Sequence, residues 1–476
     1  MYGEMIFLSW FVQEVFMDYR DWCICVLAAG KGKRMKSSQP KVILPVLGRP
    51  LINYLLQLEI PNFCGKRLAV VSPFSYDQIQ SVVDPAIQLV IQEEPLGTAH
   101  AVNSILPHLD SEIQKILVIY ADMPLLKADT IHKFMTFFEK NLAPVALLST
   151  KSEIPDGFGR IKRDFQGTPL KIVEEKDCSV EEKKIPEINL GIYAFQKNEI
   201  GIVLQSIQRN NAQGEYYLTD VLEVARNLNY KTLVYTVPWD TQFINVNSSD
   251  DLATVIGLFR RTKINQLFES GVKIVDPESV YVDWDVKCEK DVWLYPGTVI
   301  EGQSKIKENT KIGPYTHLVQ SQVGRDCRIE YSVIEDSIVE DEVIIGPFSH
   351  IRMNSIIKKN ARIGNFVEVK KSEIGEGTKA LHHSYLGDAQ LGKKVNIGAG
   401  TITCNFDGYK KHPTIIHDQV FIGSNNSLVA PITIGEGAYT AAGSTITRDV
   451  PPRALGVGRA RQVNIDKWVE KKKNRS

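Results

Sequence analysis

Cysteine is scarce in this chain and carries no pattern. Seven cysteines in 476 residues form an odd set without one C-x-x-C pair, which argues against a disulfide framework or a metal cage and fits reduced thiols in a cytoplasm. Surplus charge is missing as well. Fifty-six basic residues balance 56 acidic ones, so nothing marks a nucleic-acid surface. Nor is any stretch long and apolar enough to span a membrane. The N-terminal "MYGEMIFLSWFVQEVFMDYRDW" has a short apolar core, but Glu4 precedes it and no basic segment does, so it reads poorly as a secretion signal. Residues 1–20 are expected to be an appendage to the fold, with Met17 an alternative start. The basic end "KKKNRS" reads as a solvated tail. What remains is a globular composition, 43% hydrophobic and 24% charged, in a chain long enough for two or three domains.

The first feature with chemical content is "CVLAAGKGKRMKSSQPKV", residues 25–42. Gly30 and Gly32 let backbone amides approach a ligand, and Lys31, Lys33, Arg34 and Lys41 surround those amides with positive charge. The combination suits phosphate. It fits neither common fingerprint. A dinucleotide loop needs a third glycine where Met35 stands, and a P-loop needs Ser or Thr where Arg34 stands. A basic surface turn after a buried strand is the bland alternative.

The chain divides by period. From Cys23 to about Asn247, the runs "WCICVLAAG", "RLAVVS", "KILVIYADMP", "PVALLST" and "IPEINLGIYAF" read as strands, with helical spacing at 50–59 and 127–140. Alternating β and α predicts a mostly parallel, doubly wound sheet, with ligands beyond the carboxyl ends of its strands. Residues 250–270 show helical spacing behind Asp250, a candidate cap, and read as a linking helix. Beyond Gly271 the period becomes six: Ile300, Ile306, Ile312, Leu318; Ile345, Ile351, Ile357, Ile363, Val369; Ile422, Leu428, Ile434, Thr440, Ile446. That is the sign of a parallel β-helix built from hexapeptides. The repeat breaks at "CNFDGYKKHPT", residues 404–414, which predicts a loop protruding from one face.

Taken in order, "LAAGKGKRM", "EEPLGTAHA", "YADMPLL", "GFGRI", "EEKD", "EINLGIYAF", "GEYYLTD" and "NVNSSDDL", then "GPFSHIR", "GNFVEVKKSEIG", "HHSYLGD", "NIGAGTITCNFDG" and "AAGSTITRDVP", resemble one family from about Cys23 to Arg459. It is the bacterial family of bifunctional N-acetylglucosamine-1-phosphate uridyltransferase/glucosamine-1-phosphate N-acetyltransferase. The resemblance implies an α/β doubly wound nucleotidyltransferase domain at 21–249, the linking helix at 250–270, and a left-handed parallel β-helix of hexapeptide repeats, the acetyltransferase domain, at 271–476. It implies acetyl transfer from acetyl-CoA to glucosamine 1-phosphate, then uridylyl transfer from UTP with release of pyrophosphate. The product is UDP-N-acetylglucosamine, a precursor for peptidoglycan and lipopolysaccharide. A homotrimer, a cytoplasmic location, and neither nucleic acid nor membrane as partner are implied too.

For the uridyl site the resemblance places Leu27, Ala28, Ala29 and Gly30 on the nucleotide, Arg34 and Lys41 on its phosphates, and Gln92, Gly97 and Thr98 on the uracil edge. Lys33 departs from the usual threonine and is left without a role. Asp122 and Asn247 would hold Mg²⁺. The alternative for Asp122 is a helix cap before "PLLKADT". Gly159, Glu174, Asn189 and Asn247 match the sugar-phosphate contacts, while Leu190 replaces a residue commonly Thr or Ala. Because the attacking sugar phosphate is already an anion, the chemistry needs positioning and charge neutralisation, not a general base.

For the acetyl site, counting back from "SYLGD" puts His382, not His383, at the catalytic base, with Glu368 orienting it. Arg352 and Lys370 would hold the sugar phosphate, and Tyr385 and Asn396 the sugar. Ala399, Asn405, Phe406, Ser424, Ala442 and Arg459 would line the acetyl-CoA groove. Lys411 shares the inserted loop with Asn405, and Phe406 stands where tyrosine is usual. Two other readings are a single-activity sugar nucleotidyltransferase with a purely structural β-helix, and a non-catalytic regulatory subunit of the same architecture. The acetyl-site set argues against the first. Gly30, Gly32, Arg34, Lys41 and Asp122 argue against the second.

Overall fold

The computed structural model describes residues 18–30, 35, 39–153 and 155–473. Met17, Gly32, Lys33 and Arg34 lie outside them. The chain forms two compact units that divide between Gly257 and Leu258.

The first unit is built on a sheet whose main path contains β1 (Trp22–Leu27), β2 (Lys66–Val71), β3 (Gln88–Ile91), β4 (Lys115–Tyr120), β5 (Val145–Lys151), β6 (Glu187–Gln196) and β7 (Thr232–Val237). Their spatial order is β7-β5-β6-β4-β1-β2-β3. Only β6 runs antiparallel, to both of its neighbours. A sheet covered on both faces needs strands apolar on both sides, and β1 shows how. Trp22, Ile24 and Val26 enter one buried layer while Cys23 and Cys25 enter the other. Burial pushes the Cys23 thiol up to about 12 and raises Cys25 too, so these cysteines serve as small apolar residues.

The expected appendage at 1–20 is corrected at its end. Tyr19 is fully buried, meets Trp22 edge-on at 6.1 Å between ring centroids, and shares a 2.9 Å hydrogen bond with Thr136. An aromatic ring with a polar tip can fill a core gap if the hydroxyl finds a partner, and here it does. The helix Ser249–Glu269 is also capped differently from the expectation. Ser248, not Asp250, precedes it: Ser248 Oγ accepts from Asp251 N at 3.1 Å, and Asp251 Oδ2 accepts from Ser248 N at 2.8 Å. This is a reciprocal capping box.

The second unit is a left-handed parallel β-helix of hexapeptide repeats. Each coil contributes three short strands, one per wall of a prism. Each strand pairs with one about three hexapeptides further on, as in Lys287↔Lys305, Trp293↔Lys311 and Val299↔His317. The six-residue set from Ile300 to Leu318 fills the prism interior. Along one edge the chain turns through positive φ at Tyr315, Tyr331, Phe348, Phe366 and His383. The four aromatic rings lie in a row there, Tyr315 stacked on Tyr331 and Phe348 on Phe366, the latter pair 5.4 Å apart. Bulky residues seldom adopt that backbone. It is held because each corner amide bonds the coil before it, as Phe348 N does Tyr331 O at 2.8 Å. Among the described residues no helix is long and apolar enough to cross a membrane.

Candidate functional sites

In the sheet unit, a cavity of about 640 Å³ opens beyond the carboxyl ends of β1, β3 and β4. Its walls include Leu27 to Gly30, Lys41, Gln92, Gly97, Thr98 and Asp122. Ala28 N donates to Val70 O and Gln92 N to Val71 O, both at 2.8 Å, so the sheet's own hydrogen bonding seats these residues. Gly97 has φ +121°, and a Cβ there would lie 2.4 Å from Tyr216 O. No side chain fits. Tyr216 N in turn donates to Leu96 O at 2.7 Å, clamping the predicted uracil loop against "GEYYLTD".

Asp122 does not cap the helix Ala128–Asn141, whose cap position is Lys127. Its Oδ2 accepts from Lys41 Nζ at 3.3 Å, and Asn247 Oδ1 accepts from the same ammonium at 3.3 Å. Asp122 Oδ1 is buried and has no hydrogen-bond partner among the described residues. Val246 N bonds Asp122 O at 2.8 Å, and Asp251 Oδ2 accepts from Asn247 N at 2.9 Å. The capping box therefore also seats Asn247. Converging oxygens, one of them unpartnered, suit a hard cation. No group of three His, Cys, Asp or Glu surrounds them among the described residues, so such an ion would complete its shell with substrate and water.

The sugar-side residues form a second patch. Asn189 N donates to Gly159 O at 2.8 Å, and a methyl added to Gly159 would stand 3.7 Å from Glu174 Oε2. Burial raises the pKa of Glu174. Leu190 turns the other way, into the core layer, so its departure from the family residue changes packing and not the patch. Sequence reasoning missed Tyr120. It lines the cavity, and its ring packs so closely on Gly191 that a Cβ there would lie 2.8 Å away. Its place at the end of β4, two residues before Asp122, was the available signal. Gln213 and Glu215 also line the cavity and were missed, Glu215 inside "GEYYLTD" and Gln213 one residue before it.

On the prism, the predicted acetyl residues sort by wall and edge. Arg352, Glu368, Lys370 and Tyr385 face outward on one wall in successive coils. His382 lies at the aromatic edge bounding that wall. Asn405 Nδ2 donates to Asp388 Oδ2 at 2.6 Å and reaches Tyr385 Oη at 3.4 Å. The Lys370 ammonium beside Lys411 lowers the Lys411 pKa, and two neighbouring cations make a place for an anion. Ala399, Ser424, Ala442 and Arg459 follow one another along the same edge as His382. Gly400 N bonds His383 O, Asn425 N bonds Ala399 O, Gly443 N bonds Ser424 O, and Arg459 Nη1 donates to Ala442 O at 2.9 Å. Phe406 is exposed in the inserted loop, bridged to Lys411. Asn396 faces outward on the neighbouring wall, between Lys379 and Phe421.

One expectation needs correction within the chain. Glu368 accepts from Arg352 Nε at 3.0 Å, and His382 Nδ1 meets Asn365 Oδ1 at 3.2 Å. The parallel register explains this, since it sets Asn365, not Glu368, beside His382. A side-chain carbonyl can only accept, so Nδ1 carries the proton and Nε2 is left as the basic nitrogen. His382 and His383 are both exposed, and the positive φ of His383 makes it a corner residue, not an inward-pointing wall position.

A cavity beyond the strand ends of a doubly wound sheet, walled by Leu27 to Gly30, Lys41 and Asp122 and followed by a hexapeptide prism, defines a nucleoside-triphosphate transferase joined to a second transferase module. The family models agree: a MobA-like NTP transferase domain matches residues 24–181 and a bacterial transferase hexapeptide (six repeats) matches residues 413–448. The chain is 42% identical to the "Bifunctional protein GlmU" of Caldicellulosiruptor saccharolyticus, over 94% of this chain and 97% of that protein. The proteins of that name from Thermotoga petrophila and Thermosipho africanus are 44% and 45% identical, again over 94% of this chain and 98% and 97% of theirs. The chain belongs to the bifunctional GlmU family. It is an enzyme with uridyltransferase and acetyltransferase activities that together make UDP-N-acetylglucosamine.

Proposed function

We propose that the sheet cavity binds UTP and Mg²⁺, and that the prism edge binds acetyl-CoA in a site completed by a second copy of the chain in a homotrimer. The observation that carries the first part is the convergence of Asp122 Oδ2 and Asn247 Oδ1 on Lys41 Nζ, with Asp122 Oδ1 left unpartnered. Asp122 and Asn247 would hold Mg²⁺, which would supply positive charge to the triphosphate. Lys41 and Arg34 neutralise phosphate oxygens, and Gly159, Glu174 and Asn189 hold N-acetylglucosamine 1-phosphate. Its phosphate oxygen attacks the α-phosphorus, the α–β phosphoanhydride bond breaks, and pyrophosphate leaves.

At the prism edge, His382 Nε2 takes a proton from the glucosamine amine as nitrogen attacks the thioester carbon, and the C–S bond breaks to release CoA. Lys370, Arg352 and Lys411 hold the sugar phosphate. Asn396 faces away from the wall that bears those cations, which supports assembly from two copies about a three-fold axis. Seven unpaired cysteines suit the cytoplasm, where we place the enzyme.

Asp122→Ala tests the division of labour. Pyrophosphate release should be lost, while release of CoA thiol with glucosamine 1-phosphate as acceptor stays near normal. Parallel loss of both activities in a folded protein sinks the two-site reading.

A further inference from the structure

Gln92 is only 5% exposed at the end of β3, and both hydrogens of its side-chain amide are engaged by the protein. Nε2 lies 3.0 Å from the carbonyl oxygen of Gly97 and 3.1 Å from His100 Nδ1. A backbone carbonyl can only accept, so the atom facing it is the amide nitrogen and not the amide oxygen. That nitrogen offers no lone pair. His100 Nδ1 must therefore accept the second hydrogen, and the imidazole is the neutral tautomer with its proton on Nε2. Gln92 presents the cavity with Oε1 alone, and among the described residues no donor reaches that oxygen.

We infer that His100 is a positioning residue that makes Gln92 a pure acceptor and so selects a pyrimidine imide over cytosine. The N3–H of uracil donates to Oε1. Cytosine carries a lone pair at N3 and meets the same oxygen with repulsion. His100 holds the one amide hydrogen that could otherwise serve that lone pair, because Gly97 already holds the other. Its position makes this possible: His100 is in the first turn of the helix Thr98–Ile105, directly behind the loop that carries Gly97. The inference rests on the assignment of the cavity to UTP, and its test separates the two.

The experiment measures kcat/KM for UTP, CTP and 5-methyl-UTP in the full-length enzyme with N-acetylglucosamine 1-phosphate as co-substrate. His100→Leu removes the acceptor, His100→Asn puts a carbonyl oxygen where Nδ1 stands, and Gln92→Leu removes the reading group. The UTP:CTP ratio should fall about tenfold in His100→Leu, one hydrogen bond's worth. It should stay within about threefold of wild type in His100→Asn. The UTP:5-methyl-UTP ratio should not move, because both bases present the same imide. A His100→Leu enzyme that slows on all three nucleotides equally overturns the inference and leaves His100 a packing residue. If Gln92→Leu also leaves the UTP:CTP ratio unchanged, the base reading itself is wrong. If only Gln92→Leu lowers it, the reading stands and the role of His100 falls. Wild-type enzyme gives an independent readout should the leucine variant not fold. With ¹⁵N-labelled histidine, the His100 Nδ1 resonance, identified by its loss in His100→Asn, should be that of an unprotonated nitrogen, and a protonated one overturns the assignment.

Discussion

Leu27, Gln92, Asp122 and Asn247 are far apart in the chain, yet the sheet unit gathers them around one cavity. Arg352, Lys370 and His382 recur coil by coil, yet they stand on an open wall and edge. The difference follows from architecture. A doubly wound sheet brings every strand end to one side and walls the space with loops. A solenoid wall brings together only residues one coil apart, and side chains on neighbouring walls diverge. A site of the first kind is complete in one chain. In the proposed trimer, one of the second kind is closed by another copy of the chain.

The largest effect should come from His382, the residue proposed as the general base. His382→Ala is expected to lower acetyl transfer about a hundredfold or more, with His383→Ala costing little, since a lost general base typically forfeits that much. Uridyl transfer should be unchanged in both, because none of its residues is in the prism. Damage confined to His383→Ala would shift the register at "KALHHSY" by one residue.

Complementation addresses the open wall more directly. Lys370→Ala and Asn396→Ala should each impair acetyl transfer as pure oligomers. If one copy supplies Lys370 and its neighbour Asn396, co-refolded mixtures regain intact sites. For random equal mixing, about a quarter of the interfaces pair two wild-type contributions, so activity should recover toward that fraction. Recovery no greater than the average of the two pure variants would show that each chain builds its own acetyl site, and the contrast between the halves would collapse.

Legibility in the sequence also differs between the halves. In the prism, the six-residue period told inside from outside almost residue by residue: Ile300, Ile306, Ile312 and Leu318 are all in the core. Coil-to-coil register was not legible, because turns of different length shift one strand against the next. The family resemblance put Glu368 beside His382, where Asn365 stands. In the sheet unit the five strand runs were legible, and most of the expected cavity residues line one cavity. Tyr120 escaped because its apolar neighbours made it read as core. His100 escaped because its effect passes through Gln92, and no spacing rule encodes a contact through a third residue. Asp250 was mistaken for the cap because two adjacent acids follow two serines, and only geometry shows which serine the box uses.

The smallest expected effect separates the halves by stability. Ser248→Ala removes the acceptor for Asp251 N but keeps the backbone of the turn. Losing such a cap costs about 1 kcal/mol, which for a domain of this size lowers the unfolding midpoint by roughly 2–4 °C. The loss should appear in the transition of the sheet unit alone, since the box joins Ser248 to Asp251 within it. A local functional trace should accompany it. Asp251 Oδ2 holds the backbone of Asn247 as well as that of Ser248, so a loosened box leaves one oxygen of the proposed Mg²⁺ site less well placed. The Mg²⁺ concentration giving half-maximal uridyl transfer should rise by about threefold, under 1 kcal/mol, while acetyl transfer is unaffected. A shift of equal size in the prism transition would show that the two units do not unfold separately, and a Mg²⁺ requirement that does not move would show that the cap and the ion site are independent.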